Sequence, residues 1–497
     1  MKSLSNLLVV GVAAAITILC LIFVGALETV ALALAISVIG FVLHRRVAVD
    51  YAIAWLFFML VLIPELQAAP PVVQVAGVSI YIPHLLGAAL FPFVDFSKIA
   101  RDYRRLLWGF VLLVAWMGLF GLLRGAPLAA VLQDARGPLT FVCGVFAASV
   151  IYSAKGMRGI LKLVPPVLVA SVALIGIQLV TGAQILGGRV RGATVFGGVG
   201  QNAISIDATR FIVSSEDLAV VSLLVVGWWL AQKSSLLHKP VLALGVTASA
   251  SVLIILLSLS RQLLVGIAVG TLAWIFTRHG IRRLTRITVS VLPFVAVGLL
   301  ALTALTLAGQ GIGSSNVVGR QLDGFSQRVL VGLTSEGIEA DAGTNWRQRE
   351  NAEAISLISA EPLGTGLGLP YRDEFAVEAF GDPTFFRRWV HNVYLWYGTK
   401  GGGLGFLAIG LVTLVPLLRA VKRARTARPL QDPVAEVAVP LFCALGVMSL
   451  VDPVIINANS GVITATVFLL LGLRARPTVT RSRSAGARSV ERVDVRS

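Results

Sequence analysis

Apolar runs long enough to cross a bilayer recur along almost the whole chain, and that recurrence leaves few folds open. They occupy residues 5–26, 30–43, 51–63, 77–94, 106–123, 138–153, 163–186, 216–231, 240–258, 262–277, 287–308, 393–418, 434–451 and 461–473. Most approach the roughly 20 residues that a helix needs to span the hydrocarbon layer. Lipid offers no hydrogen bonds, so the backbone of such a run must satisfy itself as a helix. Of the 497 residues, 56% are hydrophobic, and the mean hydropathy is +0.85, beyond what a soluble core of this size requires. The expectation is an all-α, polytopic integral membrane protein with about 12–14 transmembrane helices.

Charge placement orients these spans. Basic residues cluster at Lys98, Arg101, Arg104 and Arg105, and at Lys155, Arg158 and Lys162. Further clusters are Lys233 with Lys239, then Arg278, Arg282, Arg283 and Arg286, then Arg419, Lys422, Arg423, Arg425 and Arg428. With about fourteen spans all of these fall on one side, which the positive-inside rule makes cytoplasmic. Both termini fall there too, so the expected location is the cytoplasmic membrane, multi-pass, N-in and C-in. The formal net charge of +17 then reflects topology plus a basic tail near anionic headgroups, and implies membrane lipids rather than nucleic acid. Lys2 precedes about twenty apolar residues with no A-x-A-like site, which reads as a retained first span. Cys20, Cys143 and Cys443 lie in apolar runs and imply neither a disulfide nor a metal cluster.

The sequence divides into an N-terminal helix bundle (1–307), an extracytoplasmic loop subdomain (308–390), C-terminal spans (391–473) and a basic disordered cytoplasmic tail (474–497). The loop is the large outward excursion. It begins Gly/Ser-rich, and from Trp346 to Ala360 it is predicted to be an amphipathic helix on Ala352, Ile355, Leu357, Ile358 and Ser359, stopping before Pro362. Gly364, Gly366 and Gly368 then form a turn-rich link. A smaller outward loop, 187–215, carries Arg210.

The outward segments hold many arginines and almost no lysine, Lys400 alone coming near that face. Arginine's planar fork binds phosphate oxygens in pairs and keeps its charge, which suits an anionic ligand such as a diphosphate. Taken singly, most such arginines are solvated loop charges. Arg261 differs, because it sits between two apolar runs with almost no loop, on the side where the positive-inside rule disfavours it. His391 opens the next span beside Arg387, Arg388 and Trp389, and an imidazole can take a proton from a hydroxyl near neutral pH. Asp373 and Glu374 are alternative bases. Lys400 falls inside the membrane if its helix starts at 391, or at the interface if it starts near 401.

Several motifs stand in order: Ser260-Arg261; Arg347, fifteen residues before Pro362; Glu361-Pro362-Leu363-Gly364-x-Gly366-Leu367-Gly368; His391-Asn392-x-Tyr394-Leu395; and Gly401-Gly402-x-Leu404-Gly405. Their order and spacing over roughly residues 240–420 resemble the O-antigen ligase/polymerase family, membrane glycosyltransferases of GT-C type. The resemblance implies a metal-independent enzyme with no cofactor. Its donor would be a polyprenyl-diphosphate-linked glycan and its acceptor a glycan or lipid-glycan. Carried over by position, Arg261 and Arg347 bind the diphosphate and His391 activates the acceptor hydroxyl; Arg349 rivals Arg347, and Arg388, Arg210 and Lys400 are further substrate-binding candidates. An inverting displacement fits this set, since arginines can stabilise the departing diphosphate without a metal. Glu28 is the acid standing in the first outward turn, so no Mg²⁺ or Mn²⁺ site is suggested there. Two other readings stay open. One is a flippase for the same lipid-linked glycan, against which stands the lack of internal repeats and paired broken helices. The other is a non-catalytic envelope-assembly scaffold, which leaves Arg261 and His391 without a role.

Overall fold

The computed structural model describes residues 45–61, 73–75, 78–80, 82–181, 195–197, 204–206, 215–231, 241–276, 342–371, 388–426, 433–451 and 458–473, with single positions at 211, 213, 325, 329, 332 and 334. The first two apolar runs, the run at 287–308, Arg210, Asp373, Glu374, Arg387 and the tail from 474 lie outside the described residues. In chain order the helices are α1 (Arg45–Val61), α2 (Ile82–Ala88), α3 (Arg101–Leu123), α4 (Leu128–Leu161), α5 (Val164–Thr181) and α6 (Glu216–Ala231). They continue as α7 (Val241–Ser258), α8 (Arg261–Trp274), α9 (Ala342–Ala360), α10 (Val393–Thr426), α11 (Pro433–Met448) and α12 (Ala458–Gly472). Two short antiparallel hairpins complete the list, β1 (Val73–Val75) with β2 (Val78–Ile80) and β3 (Val195–Gly197) with β4 (Ile204–Ile206). The protein is thus an all-α, polytopic membrane protein. By length and composition α3, α4 and α10 can each cross a bilayer, and most of the others are shorter apolar helices.

Helix α4 runs through the centre, with Phe141, Ala147, Ala148 and Ile151 buried. Its Gly144 lies so close to Val462 and Ala465 of α12 that a Cβ would overlap them. Gly266 and Gly270, one turn apart on α8, do the same against Met448 of α11 and Leu224 of α6. Such small-residue contacts let helices approach closely where lipid removes the hydrophobic drive for association. On the outside, α3 leaves Leu112, Leu119 and Leu123 exposed, and α10 leaves Leu404, Leu407, Leu411 and Leu418 exposed. These stripes match acyl chains, and in water they would be liabilities.

The run at 77–94 crosses beside α4, but not as the single helix its hydropathy suggests. Trp55 Nε1 donates to Pro83 O (2.8 Å), and the path continues through α2 and short 3₁₀ turns at Phe91–Phe93 and Phe96–Lys98. It ends where Lys98 Nζ donates to Ser153 O (3.1 Å). Pro92 withholds the N–H that a continuing α-helical ladder would need.

The bundle has two chemically distinct ends. At one, Arg419 pairs with Asp102 (2.8 Å), Lys155 with Asp50 (3.2 Å), and Arg423 donates to Leu471 O (2.9 Å). The described basic clusters around Lys98, Lys155 and Arg419 therefore share that end. At the other end α3 stops, α4 begins, α8 begins and α10 begins. There α3 closes with Gly125 in the left-handed region (φ +88°). Ala126 N donates to Gly121 O and Gly125 N to Leu122 O, the paired bonds of a glycine-terminated helix.

The stretch 308–390 is not wholly a subdomain apart from the spans. Residues 364–368 are buried between α3 and α10. Helix α10 breaks at Gly402 (φ +61°), and the loop satisfies the carbonyls that the break releases: Thr365 N donates to Thr399 O (2.8 Å) and Gly366 N to Lys400 O (2.9 Å). Gly403 N returns a bond to Pro362 O (2.9 Å), and Leu367 N donates to Met117 O on α3 (2.9 Å). Gly366 (φ +87°) has no room for a side chain, since a Cβ would strike the Gly121 backbone. A broken helix next to lipid is tolerated only where protein re-satisfies its backbone, and this glycine-rich link does so.

Candidate active site

His391 stands just outside α10. The helix is capped by Asn392, whose Oδ1 accepts from Tyr394 N (3.0 Å) and Leu395 N (3.3 Å), as an Asn N-cap does for the otherwise unpaired first-turn donors. Stacked Trp389 and Trp396 (centroids 5.4 Å apart) hold the approach to the helix, with Trp396 Nε1 donating to Arg388 O (3.2 Å). The His391 ring is partly exposed, its Nδ1 lying 2.6 Å from Glu350 Oε2 on α9. His391 N also donates to that oxygen (3.4 Å). Glu350 is buried, 1% exposed. Burial by itself raises its carboxyl pKa, but the hydrogen bonds and charge of His391, with a further bond from Trp346, outweigh that and hold it below its ordinary value.

Helix α9 separates the two arginine candidates. Glu350, Ala354, Leu357 and Ile358 form its packed face, and Arg347, three residues before Glu350, lies along it half-buried. Arg349 points to the exposed side. The apolar period expected on Ala352, Ile355 and Ser359 is not the packed face: all three are exposed, Ile355 by 55%. Leu357 and Ile358 do pack inward, the latter against Gly398.

Arg261 is the first residue of α8. The turn before it is only Leu259-Ser260, and Leu259 is held in the left-handed region (φ +50°) while fully buried. That conformation costs a branched residue on the order of 1–3 kcal/mol, and such strain clusters at functional sites. The Arg261 guanidinium donates to Gly332 O (2.8 Å) and lies against that glycine, where a Cβ would overlap it. Arg261, Arg347 and His391 therefore stand at the same end of the bundle.

Arg388 and Lys400 take a different place from that expected of substrate ligands. Both converge on Asp134 of α4, a fully buried carboxylate. Arg388 reaches its Oδ1 (3.3 Å), Lys400 its Oδ2 (3.4 Å), and Gly368 N donates to Oδ2 (2.7 Å). Arg388 also donates to Gln133 Oε1 (2.7 Å) and Ala130 O (3.3 Å), and Lys400 to Leu369 O. Lys400 lies inside α10 and is fully buried. Both cations tie the loop and α10 to α4. At the rim, Arg124 pairs with Glu361 and donates to Gly364 O (3.1 Å).

Asp134 and Glu350 are the residues the motifs did not reveal. A lone acid in a long apolar helix was the available signal for Asp134, since a charge there needs a partner or a purpose. For Glu350 it was the helical spacing to Ala354, Leu357 and Ile358. Among the described residues, no three His, Cys, Asp or Glu side chains gather where they could share a metal ion.

A polytopic helical membrane protein with arginines and a carboxylate-paired histidine gathered at one end is the class these features define. Residues 246–410, a stretch running from α7 into α10, match the family model described as O-antigen ligase. Arg261, Arg347, Glu350, His391 and Lys400 lie within the matched stretch; Asp134 and Arg124 lie before it. No curated protein matches the chain.

Proposed function

We propose that the protein is an integral membrane glycosyltransferase that ligates or polymerises glycan from a polyprenyl-diphosphate-linked donor. It works at the outer face of the cytoplasmic membrane, with N- and C-termini inside. The observation that carries the reading is that Arg261, Arg347 and His391 all stand at the end of the bundle opposite the basic clusters. By the positive-inside rule that end faces outward, where a lipid-linked glycan destined for the cell surface presents its sugar–diphosphate bond.

Arg261 and Arg347 bind the diphosphate and stabilise the charge that develops as it leaves. His391 takes the acceptor hydroxyl's proton as the new glycosidic bond forms. Attack opposite the leaving group inverts the anomeric centre in one displacement, with no covalent glycosyl-enzyme and no metal. The test is purified protein with an undecaprenyl-diphosphate-linked oligosaccharide and a glycan acceptor, products resolved by size. Transfer is expected and should persist in EDTA. Loss on chelation with rescue by Mg²⁺ would move the reaction into the metal-using class, and transbilayer movement of the lipid without transfer would favour the flippase.

The arginines should behave as forks rather than generic cations. Arg261→Lys and Arg347→Lys keep the charge and lose the paired donors, so both are expected to slow transfer strongly. Arg349→Lys, on the exposed side of α9, should stay near wild type. The reverse pattern at 347 and 349 would assign the clamp to Arg349.

A further inference from the structure

The partner of His391 is a second functional group. We infer that Glu350 is a positioning residue for transfer: it accepts a hydrogen bond from Nδ1–H of His391, fixes the tautomer that leaves the Nε2 lone pair for the acceptor, and steadies the imidazolium that forms. The inference deepens the reading of His391 as base and rests on it.

An ionised carboxylate can only accept hydrogen bonds. At 2.6 Å from Nδ1, it requires the proton to be on Nδ1, and a neutral imidazole then has its lone pair on Nε2. A protonated Glu350 would do the reverse, donating to Nδ1 and leaving Nε2–H unable to accept. The bonds from His391 and Trp346 favour the ionised form. The ring orientation is fixed as well, because the same carboxylate oxygen also accepts from His391 N (3.4 Å). Glu350 is buried while the ring it holds is 32% exposed, so the carboxylate supports from behind and the ring reaches the surface. In the reaction the acceptor O–H proton passes to Nε2, the oxygen's electron pair forms the bond to the anomeric carbon, and the carbon–oxygen bond to the diphosphate breaks with its pair. The imidazolium is then paired with Glu350 until Nε2 releases its proton to water. A base held by an acid from behind recurs on unrelated folds wherever a hydroxyl must be activated.

A merely structural Glu350 would lower yield and stability without the following pattern. In Glu350→Gln the amide offers Nδ1 either a donor or an acceptor, so the tautomer is no longer fixed. With full-length protein in nanodiscs and an undecaprenyl-diphosphate-linked oligosaccharide donor, kcat is expected to fall about 10²–10³-fold with KM for the donor nearly unchanged. In a His391→Ala background Glu350→Gln should cause no further loss, since residues acting as a unit are non-additive. Should Glu350→Gln not accumulate, Glu350→Asp is read instead: its shorter carboxylate draws back from Nδ1, so kcat is expected to fall with KM for the donor nearly unchanged. Wild-type kcat in either variant, or effects that multiply in the double variant, overturns the inference. If His391→Ala is inactive while Glu350→Gln transfers normally, only this inference falls; if His391→Ala is itself active, the base assignment falls with it.

Discussion

Purified His391→Ala protein is expected to insert, fold and bind the lipid-linked donor, and to transfer glycan about 10²–10⁴-fold more slowly than wild type. The magnitude follows from what an acceptor hydroxyl lacks. It is a poor nucleophile until its proton is removed as the bond to the sugar forms. The side chain proposed to do so is partly exposed, outside the helix and held from behind by a buried carboxylate. Folding should survive because the α10 cap is made by Asn392, and the Trp389–Trp396 stack does not involve the imidazole. Donor affinity measured separately from turnover splits the outcomes. Retained binding with lost transfer supports the base. Loss of both would make His391 a diphosphate ligand or a structural residue, and wild-type turnover would transfer the role to Asp373 or Glu374.

Some of this was legible in the sequence because it is written in local composition. Hydropathy located the described spans, and the basic clusters at Lys98, Lys155 and Arg419 do share one end. Arg261 and His391 stood out because a charge wedged between apolar runs and a histidine at a span's start are locally unusual. The partners did not stand out, because each lies far along the chain. Glu350 is 41 residues before His391, and Asp134 is 234 before Gly368 and 254 before Arg388. No periodicity reaches across such separations. The broken path at 77–94 and the insertion of residues 364–368 were hidden for a related reason. Hydropathy reports that a segment is buried in apolar surroundings, not whether its backbone hydrogen bonds close within the segment or onto a neighbour. Gly402 and the alternate glycines 364, 366 and 368 are the sequence trace of that second arrangement, where backbone meets backbone without room for Cβ.

Asp134→Ala is expected to remove the folded protein more thoroughly than any substitution at the chemistry. The change leaves Arg388 and Lys400 without their shared counter-charge and Gly368 N–H without its acceptor, all of them buried. Breaking a buried ion pair by removing one partner typically costs about 3–5 kcal/mol, a large share of any domain's stability. The loss should appear as a lower melting temperature and a smaller monodisperse fraction in detergent. Charge arithmetic supplies the control. The native cluster carries two cations and one anion, a net charge of +1. Asp134→Asn alone raises it to +2, whereas Asp134→Asn with Lys400→Met restores +1 and leaves Arg388 its bonds to Gln133 and Ala130. The double variant should therefore be more stable than Asp134→Asn, although it has lost more native contacts. If it is instead less stable, the cluster holds the loop through shape and hydrogen-bond geometry rather than charge balance. If Asp134→Ala melts like wild type, Asp134 does not anchor the segment that leads to His391.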